Sequence, residues 1–137
     1  MKDLKMNNQE IFDTIAKHLL TQNQKSLDNT GKCVYKSALG LSCAVGCLLK
    51  DKDTTDYEGI GVVDLRNALM DRNHKNLYQD LLSVNIPDTD EAFNLLAYLQ
   101  IIHDSFQPVK WQYHLKVLAE QQGLEWRFTA HFSLDSD

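Results

Sequence analysis

The chain has 137 residues, of which 43% are hydrophobic and 24% charged, as in one globular domain. Its formal net charge of −5 argues against general nucleic-acid binding, which needs a basic surface to displace counterions from phosphates. No apolar run approaches the roughly 18 residues of a membrane span, and no leader sequence is recognisable, so we expect a cytoplasmic protein. Three cysteines, an odd number, do not make a disulfide scaffold.

The first half of the chain begins with a helix that Asn8 can cap. Apolar residues recur there at helical spacing: Ile11, Phe12, Ile15, Ala16, Leu19 and Leu20. Residues 26–32 have the composition of a turn, and residues 33–35 favour an extended strand. Residues 41–49 are apolar apart from one serine, which favours a buried helix capped near Ser42.

Helices also dominate the second half. Residues 62–70 and 77–84 predict two short helices, the second capped by Asn73. Asp88 and Glu91 resemble a capping box in which Asp replaces the usual Ser or Thr.

The clearest amphipathic stripe covers residues 92–106 and includes His103. Pro108 fits the first position of a last helix, and Gly123 fits its end. Trp111 lies on the predicted buried face of that helix.

The tail, residues 125–137, changes to an alternating pattern at 126–132, which predicts a strand that pairs with residues 33–35. We therefore predict a single domain over residues 1–137. Its fold class is mainly α (α+β), a compact bundle of about five to six helices with a small two-stranded β element.

The most unusual segment holds Cys33, Cys43 and Cys47. On a helix the last two would share a face, and Gly46 between them would let another backbone approach closely. We favour packing, because free cysteine behaves as a small buried hydrophobe. A zinc site formed by the three cysteines and His103 is an alternative, although the ligand spacing does not match paired zinc knuckles.

A cysteine hydrolase or transferase is another alternative, with Cys43 as nucleophile near a helix start and His103 as base. We expect that Asp104 cannot orient His103, because adjacent helical residues diverge. A lone histidine on an apolar stripe is more often a core residue with satisfied hydrogen bonds. We therefore favour a protein without enzymatic activity and no resident cofactor.

The start of the predicted helix is also a candidate anion site. Its first amides, at Ser42 and Cys43, would point outward, with Lys32 and Lys36 nearby in the sequence. A helix N-terminus flanked by lysines can hold a phosphate. These four residues are the candidate ligand-binding residues.

An acidic loop follows this segment. Its candidate partner-binding residues are Asp51, Asp53, Asp56, Tyr57 and Glu58. The simplest interpretation is a solvated loop, since unpaired charges normally stay in water. The functional alternative is a contact site for a basic partner.

Four motifs resemble a family of small proteins found in bacteriophages, prophages and some bacterial genomes: C-x-Y at 33–35, G-L-x-C-A-V-G-C-L at 40–48, Y-E-G at 57–59 and L-Q-x-x-H-D at 99–104. That family has no agreed activity. The resemblance implies an accessory gene of a mobile element acting in the cytoplasm of a bacterial host. It suggests a non-enzymatic protein that binds and blocks a host protein, or sequesters a small anionic ligand such as a nucleotide.

Overall fold

The computed structural model describes residues 5–58 and 75–128. Over these ranges the protein is mainly helical. It contains α1 (Asn8–Gln22), α2 (Lys75–Ser83), α3 (Asp90–Ser105), α4 (Pro108–Gln121) and two short 3-10 helices, Gly46–Leu49 and Thr55–Tyr57. The helix predicted at residues 62–70, its neighbour's cap at Asn73 and most of the tail lie outside the described residues. The predicted total of five to six helices therefore stays a prediction.

Helices α1, α3 and α4 pack against one another, and the 3-10 helix Gly46–Leu49 packs against both α1 and α2. The apolar stripes predicted for α1 and α3 are buried except at Leu20 and Phe106, which are partly buried, and Trp111 on α4 is fully buried. The amphipathic patterns thus identified the inner face of each long helix correctly. The large apolar side chains on these faces supply most of the stabilising burial.

The helix ends differ from prediction by one residue at two positions. Asn7, not Asn8, caps α1: its Oδ1 accepts from the amide of Glu10 at 2.8 Å, and Oε1 of Glu10 accepts from the amide of Asn7 at 2.9 Å. Thr89, not Asp88, caps α3, with Oγ1 accepting from an amide in the first turn at 3.2 Å. In both caps the side chain accepts from the amide three positions ahead.

The ends of α4 are as predicted. Pro108 occupies its first turn, where a missing N–H costs nothing. Gly123 follows the helix with φ of 68°, a left-handed conformation that favours glycine. The next amide, of Leu124, donates to the carbonyl of Ala119 at 2.8 Å and closes the helix end.

The main departure from prediction lies in the stretch between α1 and residue 58, which we call the loop segment (residues 23–58). The helix predicted for 41–49 is wrong, because only Gly46–Leu49 is helical, and that turn is a 3-10 helix. The carbonyl of Ser42, which would accept from the amide of Gly46 in such a helix, accepts instead from side chains of α1, and the amide of Gly46 donates to Sγ of Cys43. The amide of Ser42 donates to a side chain of α1, and that of Val45 donates to Oε1 of Gln100 on α3 at 2.9 Å.

Gly46 serves the purpose that the sequence suggested. A Cβ built on Gly46 would overlap the main-chain carbonyl of Tyr35. The same carbonyl accepts from the amide of Cys43 at 3.1 Å. The prediction that Gly46 permits close approach of another backbone is therefore confirmed, with Tyr35 as the neighbour.

Pairing in the loop segment is local. Isolated antiparallel bridges join Leu27 to Cys33 and Lys36 to Ser42. Cys33 thus pairs within its own turn, and the described start of the tail lies against α1, where the Trp126 ring meets Phe12 edge to face at 6.2 Å. The described residues form no sheet, and residues 129–132 of the predicted strand lie outside them. Tight local turns provide closer hydrogen-bond partners than a distant tail.

Candidate functional site

His103 lies at the centre of the candidate site, where α3 meets the loop segment. Its side chain is fully buried. The amide of Ser26 donates to Nε2 of His103 at 3.0 Å, and Nδ1 lies 2.7 Å from Oδ1 of Asp104. Because an amide can only donate, Nε2 is the acceptor, and the proton of the neutral ring resides on Nδ1 and points to Asp104.

This contact overturns the expectation that Asp104 cannot orient its neighbour. Asp104 also accepts from Nε2 of Gln100 at 3.0 Å, so the Asp104 carboxylate is held between a residue one turn earlier and the adjacent imidazole. The two side chains therefore meet although adjacent positions of a helix point in different directions. His103 is oriented by a carboxylate, as a catalytic base would be, but its other nitrogen is occupied by Ser26.

The same network fastens the loop segment to the helices. Gln100 connects the loop segment to α3, because its Oε1 accepts from the amide of Val45 while its Nε2 donates to Asp104. The indole of Trp111 stacks on the His103 ring, with centroids 5.4 Å apart. Buried polar groups with all partners present favour one arrangement of the loop.

Cys43 and His103 do not form the predicted pair of nucleophile and base. Cys43 is fully buried, and its Sγ accepts from the amide of Gly46 at 3.2 Å. Burial raises the pKa of the Cys43 thiol far above its ordinary value. Burial also raises the pKa of Cys47 to about 12. Neutral thiols are poor nucleophiles, and both nitrogens of His103 already have partners.

A different trio of residues could hold a metal ion. Ligand atoms of Cys33, His103 and Asp104 lie within 4.8 Å of one another, whereas Cys43 and Cys47, which the sequence suggested as zinc ligands, do not belong to this group. Burial, the charge of Asp104 and a hydrogen bond to Asp104 raise the pKa of Cys33 to about 11. The thiol is therefore protonated at neutral pH, which favours a hydrogen-bonded cluster.

The tautomer of His103 is a second reason why this group of residues does not favour a metal ion. A metal ion at Nδ1 would require the ring proton to move to Nε2, where it would face the N–H of Ser26 at hydrogen-bond distance. Two donors would then oppose each other in a buried place. Metal binding here needs rearrangement of Ser26 as well as loss of the thiol proton.

The predicted anion site at Ser42 does not have free amide donors. Ser42 donates its amide to Oε1 of Gln22 at 3.0 Å, and Cys43 donates its amide to the carbonyl of Tyr35. No helix begins at these residues. The amides and the dipole that would hold a phosphate are therefore absent from this position.

The two candidate lysines differ in their surroundings. Nζ of Lys36 donates to the carbonyls of Lys50 and Lys52, so its charge helps to hold the loop segment together. Lys32 is exposed at the turn that follows residue 31. The structure does not bring either ammonium to outward-pointing amides of a helix start.

Glu58 of the acidic loop acts within the fold. Its Oε1 accepts from the amide of Tyr35 at 2.8 Å, and its Oε2 accepts from the amide of Lys36 at 3.2 Å. The hydroxyl of Thr54 also donates to Oε2, at 2.7 Å. A carboxylate with three donors is a structural clamp across the loop segment.

The other acidic-loop residues fall into two groups. Tyr57 is buried, and its hydroxyl donates to a carboxylate of α2 at 2.6 Å. Asp51 and Asp53 are exposed, and hydrogen bonds from the hydroxyl and amide of Thr55 lower the pKa of Asp53. The side chain of Asp56 lies outside the described residues. The exposed carboxylates are the part of this loop that a partner can reach.

A cleft that the sequence analysis did not identify lies between the turns of the loop segment. Its volume is about 760 Å³, and its lining includes Leu27, Val34, Ala38, Leu39, Asp28, Asp53 and Glu58. Leu39 is 86% exposed at its edge. The turn beneath is fixed, because Oγ of Ser37 accepts from the amides of Leu39 and Leu41 at 3.3 and 3.1 Å. The sequence signal that could have indicated this cleft is Leu39, an apolar residue within a turn-forming stretch.

Comparison with known proteins adds no relative. No family model matches the chain, no curated protein matches its sequence, and no solved structure matches its fold. The resemblance to a phage-borne family therefore stays a prediction. Within the described ranges, no helix combines the length and hydropathy needed to cross a bilayer.

Proposed function

We propose that this protein is a non-enzymatic binding protein that contacts another protein through the cleft of the loop segment. The observation that carries the proposal is Leu39, which is 86% exposed on a turn held by Ser37. An apolar side chain held out on a fixed turn loses little conformational freedom when a partner covers it. It can therefore contribute most of its burial to affinity.

The chemistry of the cleft defines the partner segment. Leu27 is also exposed, and Leu39 and Leu27 line the cleft together with the carboxylates of Asp28 and Asp53. Hydrogen bonds from Thr30 and the amide of Lys32 lower the pKa of Asp28, so this carboxylate stays ionised. Apolar contacts with an acidic rim favour a partner segment that carries an apolar side chain next to Lys or Arg.

The setting of the proposal comes from the resemblance described above. A phage or prophage accessory protein that blocks a host protein would act in the cytoplasm of its bacterial host. The alternative of a cysteine hydrolase has less support, because the Cys43 thiol is buried and protonated and His103 has no free nitrogen.

The test is a site-specific photocrosslink followed by binding measurements. A photoreactive residue at Leu39 is expected to capture a partner in host cells, while the same residue at Val109, which is 73% exposed on α4, captures none of it. The purified partner should bind Leu39→Ser about tenfold more weakly than wild type and bind Val109→Ser normally. Equal affinity of the two variants, or no captured protein, would overturn the proposal.

A further inference from the structure

A second cavity lies between α1 and the end of the loop segment, apart from the cleft at Leu39. Its volume is about 610 Å³, within the range of small-molecule sites. Five lining residues come from α1, namely Gln22 and a set of four: Thr14, Lys17, His18 and Thr21. These four stand at positions i, i+3, i+4 and i+7, so they form one face of the helix. Lys50 and Ser42 of the loop segment also line it.

The charge of this cavity is opposite to that of the chain. Lys17 and Lys50 both line it, and none of the described lining residues is acidic, although the chain has a net charge of −5. Neither lysine forms an ion pair with a described residue. Burial lowers the pKa of His18 in the cavity wall, and the positive charge of Lys50 acts in the same direction.

The wall that carries these groups is fixed. Nε2 of His18 donates to the carbonyl of Ser42 at 2.9 Å, since a carbonyl can only accept. Gln22 holds the same residue through two bonds: its Nε2 donates to the Ser42 carbonyl at 2.8 Å, and its Oε1 accepts the Ser42 amide at 3.0 Å. The two sides of the cavity are thus joined before any ligand arrives, which lowers the entropic cost of binding.

We propose that this cavity binds a small phosphate-bearing molecule. In this site Lys17 and Lys50 supply ammonium groups to the phosphate oxygens, and the hydroxyls of Thr14 and Thr21 add neutral donors. Ammonium–phosphate contacts are charge-assisted and stronger than neutral hydrogen bonds. The volume leaves room for an organic group beside the phosphate. This site is separate from the protein-binding cleft, and its argument does not depend on that proposal.

The test is calorimetric titration of the full chain with pyrophosphate and with adenosine diphosphate. We expect binding that weakens as salt is added. Lys17→Gln and Lys50→Gln should each weaken it about tenfold, the loss of one charge-assisted contact. Lys110→Gln is the matched control, because Lys110 is an exposed lysine of α4 that does not line the cavity.

The two ligands distinguish what is recognised. Equal affinities identify the phosphate groups as the recognised feature, and tighter binding of the nucleotide shows that the organic part is also held. Amide shifts of Thr14 and Thr21 in nuclear magnetic resonance spectra check the location without any substitution. The proposal is overturned by absence of binding up to about 10 mM of either ligand, or by unchanged affinity in both lysine variants.

Discussion

The amide of Ser26 donates a hydrogen bond to Nε2 of His103, across 77 positions of the chain. This single contact fixes the tautomer of a buried imidazole and ties the start of the loop segment to α3. It also explains why His103 is not available as a base. Because Nε2 accepts from Ser26 and Nδ1 carries the proton toward Asp104, neither nitrogen of His103 is free to take a proton from a substrate.

Removal of His103 is expected to destabilise the fold. His103→Ala leaves the amide of Ser26 without its partner and removes the ring that stacks on Trp111. We expect the free energy of unfolding, measured with urea, to fall by about 3 kcal/mol. His114→Ala is the control, because His114 is only partly buried. A loss no greater than that of the control would contradict the network described here.

The tautomers themselves can be observed. His103 should carry its proton on Nδ1, whereas His18 should carry it on Nε2, which donates to the carbonyl of Ser42. Nitrogen-15 spectra of the labelled imidazoles separate these two forms when the rings are neutral. Observation of the same tautomer at both positions would show that one of the two hydrogen bonds is absent in solution.

Gly46→Ala should be among the most damaging single-methyl additions in this chain. The new Cβ would overlap the backbone carbonyl of Tyr35, and backbone cannot move away as a flexible side chain can. We expect a loss of about 3 kcal/mol in unfolding free energy. Ala38→Gly tests whether any change in the loop segment is equally harmful, since Ala38 is exposed. Comparable losses for the two variants would contradict the steric explanation.

The cysteines should react slowly with iodoacetamide in the folded protein. A pKa of about 11 for Cys33, against an ordinary 9.0, reduces its thiolate fraction by about 100-fold. Cys43 should be the slowest of the three because it is also fully buried, and unfolding in urea should release all three. Mass spectrometry of peptides from a time course measures the rates. Rapid labelling of Cys43 in the native protein would revive the hydrolase interpretation.

Acid should weaken the fold through His18. Burial lowers the pKa of His18 below its ordinary 6.5, and the positive charge of Lys50 acts in the same direction, against the hydrogen bond to Ser42. The folded state therefore binds fewer protons than the unfolded state. The stabilising contribution is present above pH 6.5 and is lost as the pH falls through 6.5 and the lowered pKa.

His18→Gln keeps an Nε2 donor for the carbonyl of Ser42 and removes the titrating group. Urea unfolding of both proteins between about pH 7.5 and pH 5 measures the difference. Wild type should lose more stability than the variant over this range. Parallel pH profiles would show that burial of His18 does not affect proton binding.

Zinc should not raise the melting temperature of the folded chain. The proton on Nδ1 of His103 and the protonated thiol of Cys33 both oppose metal binding at the Cys33–His103–Asp104 group. Elemental analysis of protein purified in metal-free buffer, and melting with and without added zinc, measure this. Stoichiometric zinc that disappears in Cys33→Ser would contradict the prediction and would identify the ligand set.

Local patterns predicted the long helices well. The stripes of α1 and α3, the proline and glycine at the ends of α4, and the close approach at Gly46 each depend on residues near one another in sequence. Hydrophobic spacing and backbone geometry act over a few residues, so the sequence displays them directly. The same local rules misplaced two caps by one residue.

The loop segment could not be predicted in this way. Residues 41–49 have the composition of a buried helix, yet His18 and Gln22 of α1 take the Ser42 carbonyl that such a helix would pair with the amide of Gly46. Likewise Cys33 and His103, 70 positions apart in the sequence, bring their ligand atoms within 4.8 Å of each other. Such partners are far apart in sequence and leave no periodic signal.

The sequence alone determined that this protein is mainly helical, which faces of its long helices are buried, and where a glycine is indispensable. Only the tertiary structure decided that both ring nitrogens of His103 have hydrogen-bond partners, that Glu58 and Lys36 hold the loop segment, and that Lys17 and Lys50 line one cavity. The physical reason is that burial follows local periodicity, whereas protonation and binding depend on groups brought together from distant parts of the chain.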